Sequence, residues 1–334
     1  MNVTWGILSK YRNELYGFSI IWIILFHGLE LKKTVLPKAL KFIEPLLKHG
    51  NCGVEIFLFL SGICLYFSLK KNQDIIYFFK KRVSRILGSF LLIDASYWLF
   101  TCVYQKQNVL EFLQNITFYS FWYGKNQMVW FIALIVLLYA FYPIIFRAIE
   151  KYNSIYALFI SVMIIYGVCF LLGKNYPGWF LGVEIALTRV PVFLIGCYCG
   201  RMVYEDIEIK QIIKLLTLFF AFYGLTYFYQ HPYSLVKYYR IPYLFIGPSL
   251  AIWGVILLDV IKSTKLNRTM CLWGGLSLEL YLSHIVLRKI FVNSLLYGEN
   301  YKLNYVWYII VCCAGAFFIS YFINKMNEKC RSLL

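Results

Sequence analysis

Residues 18–33 read FSIIWIILFHGLELKK. An oily run closes on a histidine, His27, and only then turns basic. An ionisable side chain at membrane depth is costly unless it has a partner or a task. The stretch is therefore either an anchor helix with a stray polar residue or a helix that carries a functional group into the bilayer.

Working outward, the same oiliness recurs along the whole chain. Of 334 residues 61% are hydrophobic and 15% charged, with a mean hydropathy of +0.66. A soluble domain is about 45–50% apolar and about 25% charged. The fold class expected is all-α: a polytopic membrane protein of about ten transmembrane helices in one bundle. A span needs roughly 20 apolar residues to cross a ~30 Å hydrocarbon core. Ten such runs are read at 14–32, 52–69, 84–104, 128–147, 154–173, 186–203, 212–230, 242–261, 273–292 and 304–323. Residues 108–124 are aromatic-rich and too polar to span, which suits an interfacial segment. The opening MNVTWGILSKYRNEL has no features of a cleavable signal peptide. No repeat or long extramembrane stretch divides the chain, so residues 1–334 are read as one domain.

Ten spans put both termini on one side. That side collects 19 of the 33 Lys and Arg residues, which places both termini in the cytoplasm. The net charge of +17 comes from short loops between apolar runs, so it suits anionic lipid headgroups rather than nucleic acid. Ten cysteines show no metal-ligand spacing, and no metal is expected.

Depth then sorts the polar residues. At ~1.5 Å per helical residue, His27 lies about 22 Å beyond Arg12, toward the outer leaflet. Glu55, in GVEIFLFLSG, enters the second span near the same outer level. Arg82 and Arg85, in KKRVSRIL, lie near the level of Arg12. Glu279 and His284 enter the ninth span in LSLELYLSHIVL. A histidine with a carboxylate is thus expected toward the outside and an arginine group toward the cytoplasm. Neutral imidazole can take a proton from a hydroxyl, and a carboxylate on its other nitrogen can fix the tautomer. Guanidinium groups bind phosphates through two parallel hydrogen bonds. Each residue also has a plainer reading. His27 and His284 can be interhelical hydrogen bonds, Arg12 a snorkelling anchor, and Arg82 and Arg85 headgroup contacts. His49 and His231, beside Gly, Pro or Lys, are expected in solvated loops. Spacing alone does not choose between proton-coupled transport and group transfer.

The linear pattern adds more. YRNELYGFSIIWIILFH, GVEIFLFLSGICLYFSLKK and KKRVSRIL, followed by VWFIALIVLLYAFYPII, RVPVFLIGCYCGRM and LSLELYLSHIVL, together resemble the acyltransferase-3 family of bacterial integral membrane O-acyltransferases. The order is that of the family across nearly the whole chain. The resemblance maps the family's essential histidine to His27, its acidic position to Glu55, its Ser-Gly to Ser61-Gly62, its arginine pair to Arg82 and Arg85, and a late histidine to His284. Two departures stand out. The family's arginine eleven residues before the histidine is replaced by Tyr16, with Arg12 a turn earlier. The proline that usually follows the arginine pair is Gly88.

What the resemblance implies is a stand-alone enzyme of the bacterial cytoplasmic membrane. It would pass an acyl group, most often acetyl, from cytoplasmic acetyl-CoA or another acyl-CoA to a hydroxyl of a cell-surface or lipid-linked carbohydrate. In a direct mechanism His27 would be the general base, oriented by Glu55, a covalent acyl-enzyme route being the other option, and Arg82, Arg85 and Arg12 would hold the CoA phosphates. The acyl-pantetheine arm would need an internal channel, with Ser61, Trp130, Tyr281 and His284 at its wall. The alternatives are a transporter of a small amino acid or of acyl groups, and a non-catalytic membrane scaffold.

Overall fold

A single helix sits at the centre of the bundle: 72% of the apolar window in Cys52–Lys71 is buried, against 11% in the peripheral Ile155–Asn175. The fold comes from a computed structural model that describes residues 3–106, 108–231 and 240–332, with side chains as far as 327. It is 83% helix and has no strand among the described residues. We number the helices α1 Arg12–Leu29, α2 Cys52–Lys71, α3 Ile75–Tyr104, α4 Val109–Ile116, α5 Tyr119–Trp122, α6 Trp130–Tyr152, α7 Ile155–Asn175, α8 Pro177–Leu187, α9 Val190–Tyr204, α10 Gln211–Gln230, α11 Ile241–Ile261, α12 Thr264–Gly275, α13 Ser277–Val292 and α14 Tyr301–Asn327.

Eight stretches among the described residues are long and apolar enough to cross a membrane, and nine if the bent pair α12–α13 counts as one span. The remaining expected span is α1. It is a continuous 18-residue helix, but Arg12, Asn13, Glu14 and His27 dilute its oiliness. The segment expected at the interface forms the two short helices α4 and α5, too short to span. The third span is longer than expected, because α3 begins at Ile75, where Asp74 caps the backbone N–H groups of Ile76 and Tyr77. Within it, Leu91–Ala95 forms a wide π turn, and Ile310–Gly315 forms another in α14. Both pack against α13. Such turns are frequent beside functional sites.

Glycines set how closely the central helices approach. A side chain on Gly196 of α9 would put its Cβ 2.1 Å from the Phe59 carbonyl oxygen of α2, so the two backbones pack in direct contact. On the other flank, a Cβ at Gly274 would meet the Asn13 carbonyl oxygen at 1.8 Å, which pins α12 across the start of α1. The chain then bends by 69° between α12 and α13. The bend carries α13 alongside the far end of α1 and brings His284 to His27.

Glu279, the carboxylate of α13, is accounted for by packing. It accepts a 2.7 Å hydrogen bond from Ser89, whose oxygen is in turn bonded by Asn327 Nδ2 at 3.1 Å.

Candidate active site

Two chambers meet inside the bundle. One, of about 800 Å³, is lined by His27, Glu30, Trp130, Glu184, Arg189, Arg240, Arg288 and Lys289, among others. The second, of about 520 Å³, is lined by Arg12, Tyr16, Ser61, Cys64, Lys71, Lys81, Arg82 and Arg85. Ile23, Val54 and Tyr281 belong to both walls and form the partition between them. Because α1 is unbroken from Arg12 to His27, about 22 Å separates the ends of the two chambers along its axis.

His27 Nδ1 lies 3.0 Å from His284 Nε2, with the rings stacked at 5.2 Å. His284 Nδ1 lies 2.8 Å from the Leu280 carbonyl oxygen. A carbonyl only accepts, so His284 Nδ1 carries the proton and its Nε2 is the acceptor. His27 Nδ1–H must then be the donor, which leaves the lone pair on His27 Nε2. That nitrogen faces the chamber side, with Glu30 Oε2 3.9 Å away; Glu30 in turn pairs with Arg288 at 3.4 Å. His284 is fully buried, whereas 16% of the His27 side chain is accessible. The buried ring orients and the accessible one presents.

The carboxylate expected on His27 is elsewhere. Glu55, 1% exposed, places Oε1 2.8 Å from Arg240 Nε and 3.1 Å from Arg189 Nε. The residue bonded to the His27 ring is instead His284. The correction has a plain physical cause: an ionised carboxylate at this depth needs a cation more than it needs a neutral imidazole. Arg240 is held there by an unusual backbone, with φ at 59° in the left-handed region that side-chain-bearing residues seldom adopt.

The other expected residues divide between the two chambers. Arg12, Arg82, Arg85 and Ser61 share the second chamber, Trp130 lines the first, and Tyr281 stands at the partition. Arg12 and Tyr16 are one turn apart on the same face of α1, so a cation moved four residues earlier still reaches this chamber. Among the described residues no Asp or Glu lines it, while five cations do: Arg12, Lys71, Lys81, Arg82 and Arg85.

His49 departs from expectation. It is fully buried, with Nδ1 2.6 Å from the Tyr243 hydroxyl and Nε2 2.5 Å from the His231 carbonyl oxygen. Both ring nitrogens are used in packing the Gly50 turn against α11. His231 is half-buried rather than solvated.

Sequence reading missed Arg189, Arg240, Glu30 and Arg288. The signal that could have found the two arginines was Glu55 itself. An intramembrane carboxylate demands a cation, and Arg189 interrupts an otherwise uncharged stretch at the break between α8 and α9.

A model of the acyltransferase-3 family, described as an acyltransferase domain, matches residues 15–325. No curated protein and no solved structure matches the chain at a significant level.

Proposed function

The chain belongs to the acyltransferase-3 family and is a multi-helix membrane acyltransferase, and on that premise we propose that it moves an acyl group, acetyl by preference, from acyl-CoA to a hydroxyl of a surface or lipid-linked carbohydrate. The observation that carries this reading is the pairing of two unlike chambers, one with five cations and no acid among the described residues, one with a histidine whose free lone pair is assigned by its hydrogen bonds.

In this account α1 is the tenth span, both termini are cytoplasmic, and the membrane is the bacterial cytoplasmic membrane. The excess of Lys and Arg on the terminal side supports that orientation. The arginine chamber then opens toward the cytoplasm. Arg12, Arg82 and Arg85 hold the CoA phosphates there, where guanidinium forks match phosphate oxygens and the lack of acids keeps the field positive. The acyl-pantetheine arm runs past Ser61 and through the partition at Ile23, Val54 and Tyr281.

In the histidine chamber the acceptor hydroxyl donates its proton to His27 Nε2 as its oxygen attacks the thioester carbon. The imidazolium that forms is steadied through Nδ1–H on His284 and, beyond it, the Leu280 carbonyl. The proton then passes to the departing sulfur, releasing CoA and the ester. Glu30, beside Nε2, is placed to accept a hydrogen bond from an acceptor hydroxyl.

Mass spectrometry of surface glycans tests the reading. Deleting the chain and replacing His27→Ala should each remove the same acetyl mark, with the variant still inserted in the membrane. An unchanged glycan in both strains would overturn it, and flux of a small molecule with no ester formed would favour the transporter.

A further inference from the structure

The proposed reaction passes through a tetrahedral species whose carbonyl oxygen becomes negative, and the base and the phosphate clamp leave that charge unattended. The histidine chamber holds a group suited to it. Arg189 is 2% exposed, lines the chamber that also holds His27, and is fixed from three directions. Its guanidinium stacks 4.7 Å from the Trp130 ring centre, Nη1 donates to the Ile185 carbonyl oxygen at 2.5 Å, and Nε lies 3.1 Å from Glu55 Oε1. The Nε contact lacks a hydrogen-bonding angle, and Nη2 takes no hydrogen bond among the described residues. The guanidinium is anchored without being used up.

Its carboxylate partner is also shared. Arg189 and Arg240 face the single fully buried carboxylate of Glu55, through the same oxygen. The other acids on the chamber wall are Glu30, which pairs with Arg288, and the half-buried Glu184, which lies within electrostatic reach of both arginines. An arginine that shares its buried carboxylate with a second arginine is not neutralised by a partner of its own, and a developing oxyanion is the kind of charge that it can meet. A fixed cation aimed at developing charge in a low-dielectric site is also the arrangement that lowers a barrier most.

Resting on the acyl-transfer reading, we infer that Arg189 is a catalytic residue that stabilises the oxyanion formed from the thioester carbonyl, with Glu55 and Trp130 as the residues that position it. The step balances. The acceptor O–H proton goes to His27 Nε2, the new C–O bond forms, and the carbonyl π pair moves onto the oxygen facing Arg189. That pair then re-forms the C=O bond as C–S breaks, and the imidazolium proton goes to sulfur. On this view Glu55 is required because it holds the arginines, not because it touches the base.

The test uses the full-length protein in detergent or membranes. Arg189→Gln leaves Arg240 on Glu55, so each buried charge keeps a partner. The expected result is a fall in kcat of about 10²–10³, with KM for acyl-CoA within about threefold. CoA and a trifluoromethyl-ketone analogue of acetyl-CoA, which hydrates to a tetrahedral gem-diol, separate catalysis from packing. Loss of the residue should weaken the ketone by a factor that follows the fall in kcat and leave CoA affinity unchanged, since a transition-state mimic reports interactions made only there. Arg189→Lys carries the same comparison if the glutamine variant does not accumulate. Unchanged kcat, or a fall in kcat with ketone affinity unchanged, would overturn the role. His27→Ala run beside it separates the two claims: an inactive His27→Ala with an active Arg189→Gln removes only this inference, whereas no acyl transfer by the wild type removes the reading on which it rests.

Discussion

His27 Nδ1 donates to His284 Nε2 across 3.0 Å, and His284 donates onward to the Leu280 carbonyl, so one hydrogen-bonded chain fixes both tautomers and leaves the lone pair on His27 Nε2. The first prediction follows directly. His284→Ala should lower kcat for acyl transfer about 10²-fold and shift the acidic limb of the pH–rate profile, where the base takes up its proton, because His27 loses its fixed tautomer. His284→Asn, with an acceptor oxygen on a shorter side chain, should recover part of the loss. Turnover of acyl-CoA in isolated membranes, measured across pH, reads both; an unmoved profile would assign His284 to packing alone.

Glu55 should behave as a structural charge first. Glu55→Gln leaves Arg189 and Arg240 buried without the carboxylate that they share, and breaking a buried pair costs about 3–5 kcal/mol. Thermal unfolding in detergent should show a clear drop for Glu55→Gln and little change for His27→Ala, whose ring is partly accessible and bonded to one neighbour. Equal stability of the two variants would contradict the assignment.

The arginine chamber should act on donor binding. Arg82→Gln and Arg12→Gln should each raise KM for acyl-CoA about tenfold, the scale of one charge-assisted hydrogen bond, while kcat stays within about threefold. Tyr16→Phe, at the position of the family's usual arginine, should change neither. A loss confined to kcat would place these cations outside the donor site.

Much of this arrangement was legible before any coordinates. Depth counting along α1 separated Arg12 from His27 and matched Glu55 to the histidine level, because an unbroken helix converts residue number into distance. The family-like motifs brought in Arg82, Arg85 and His284. What the sequence hid was lateral placement. The partner of His27 depends on the 69° bend between α12 and α13, which depends on the contact of Gly274 with Asn13, and no periodicity encodes it. Likewise Glu55 and Arg240 lie 185 residues apart in the chain. His49 reads as a loop residue because it lies between Lys48 and Gly50, yet the turn is folded inward on Tyr243.

That burial gives a pH prediction for stability rather than activity. Burial lowers the His49 imidazole below its ordinary value. The unfolded chain therefore takes up the proton first, near pH 6.5. Stability from neutral His49 should be fully present above that pH and should decline as pH falls toward the folded value. Melting curves of wild type and His49→Gln between pH 5 and 8 check this: the difference should narrow as pH falls, and a difference that widened would refute it.

The central claim is that an acyl group crosses the bundle from one chamber to the other and leaves through His27. Proteoliposomes loaded with carbohydrate acceptor inside and given radiolabelled acetyl-CoA outside measure it directly in the fraction of molecules inserted with the arginine chamber outward. The account predicts labelled ester inside the vesicles for the wild type, none for His27→Ala, and none when acceptor and donor share the outer compartment of sealed vesicles in that orientation. Equal labelling by wild type and His27→Ala would contradict it.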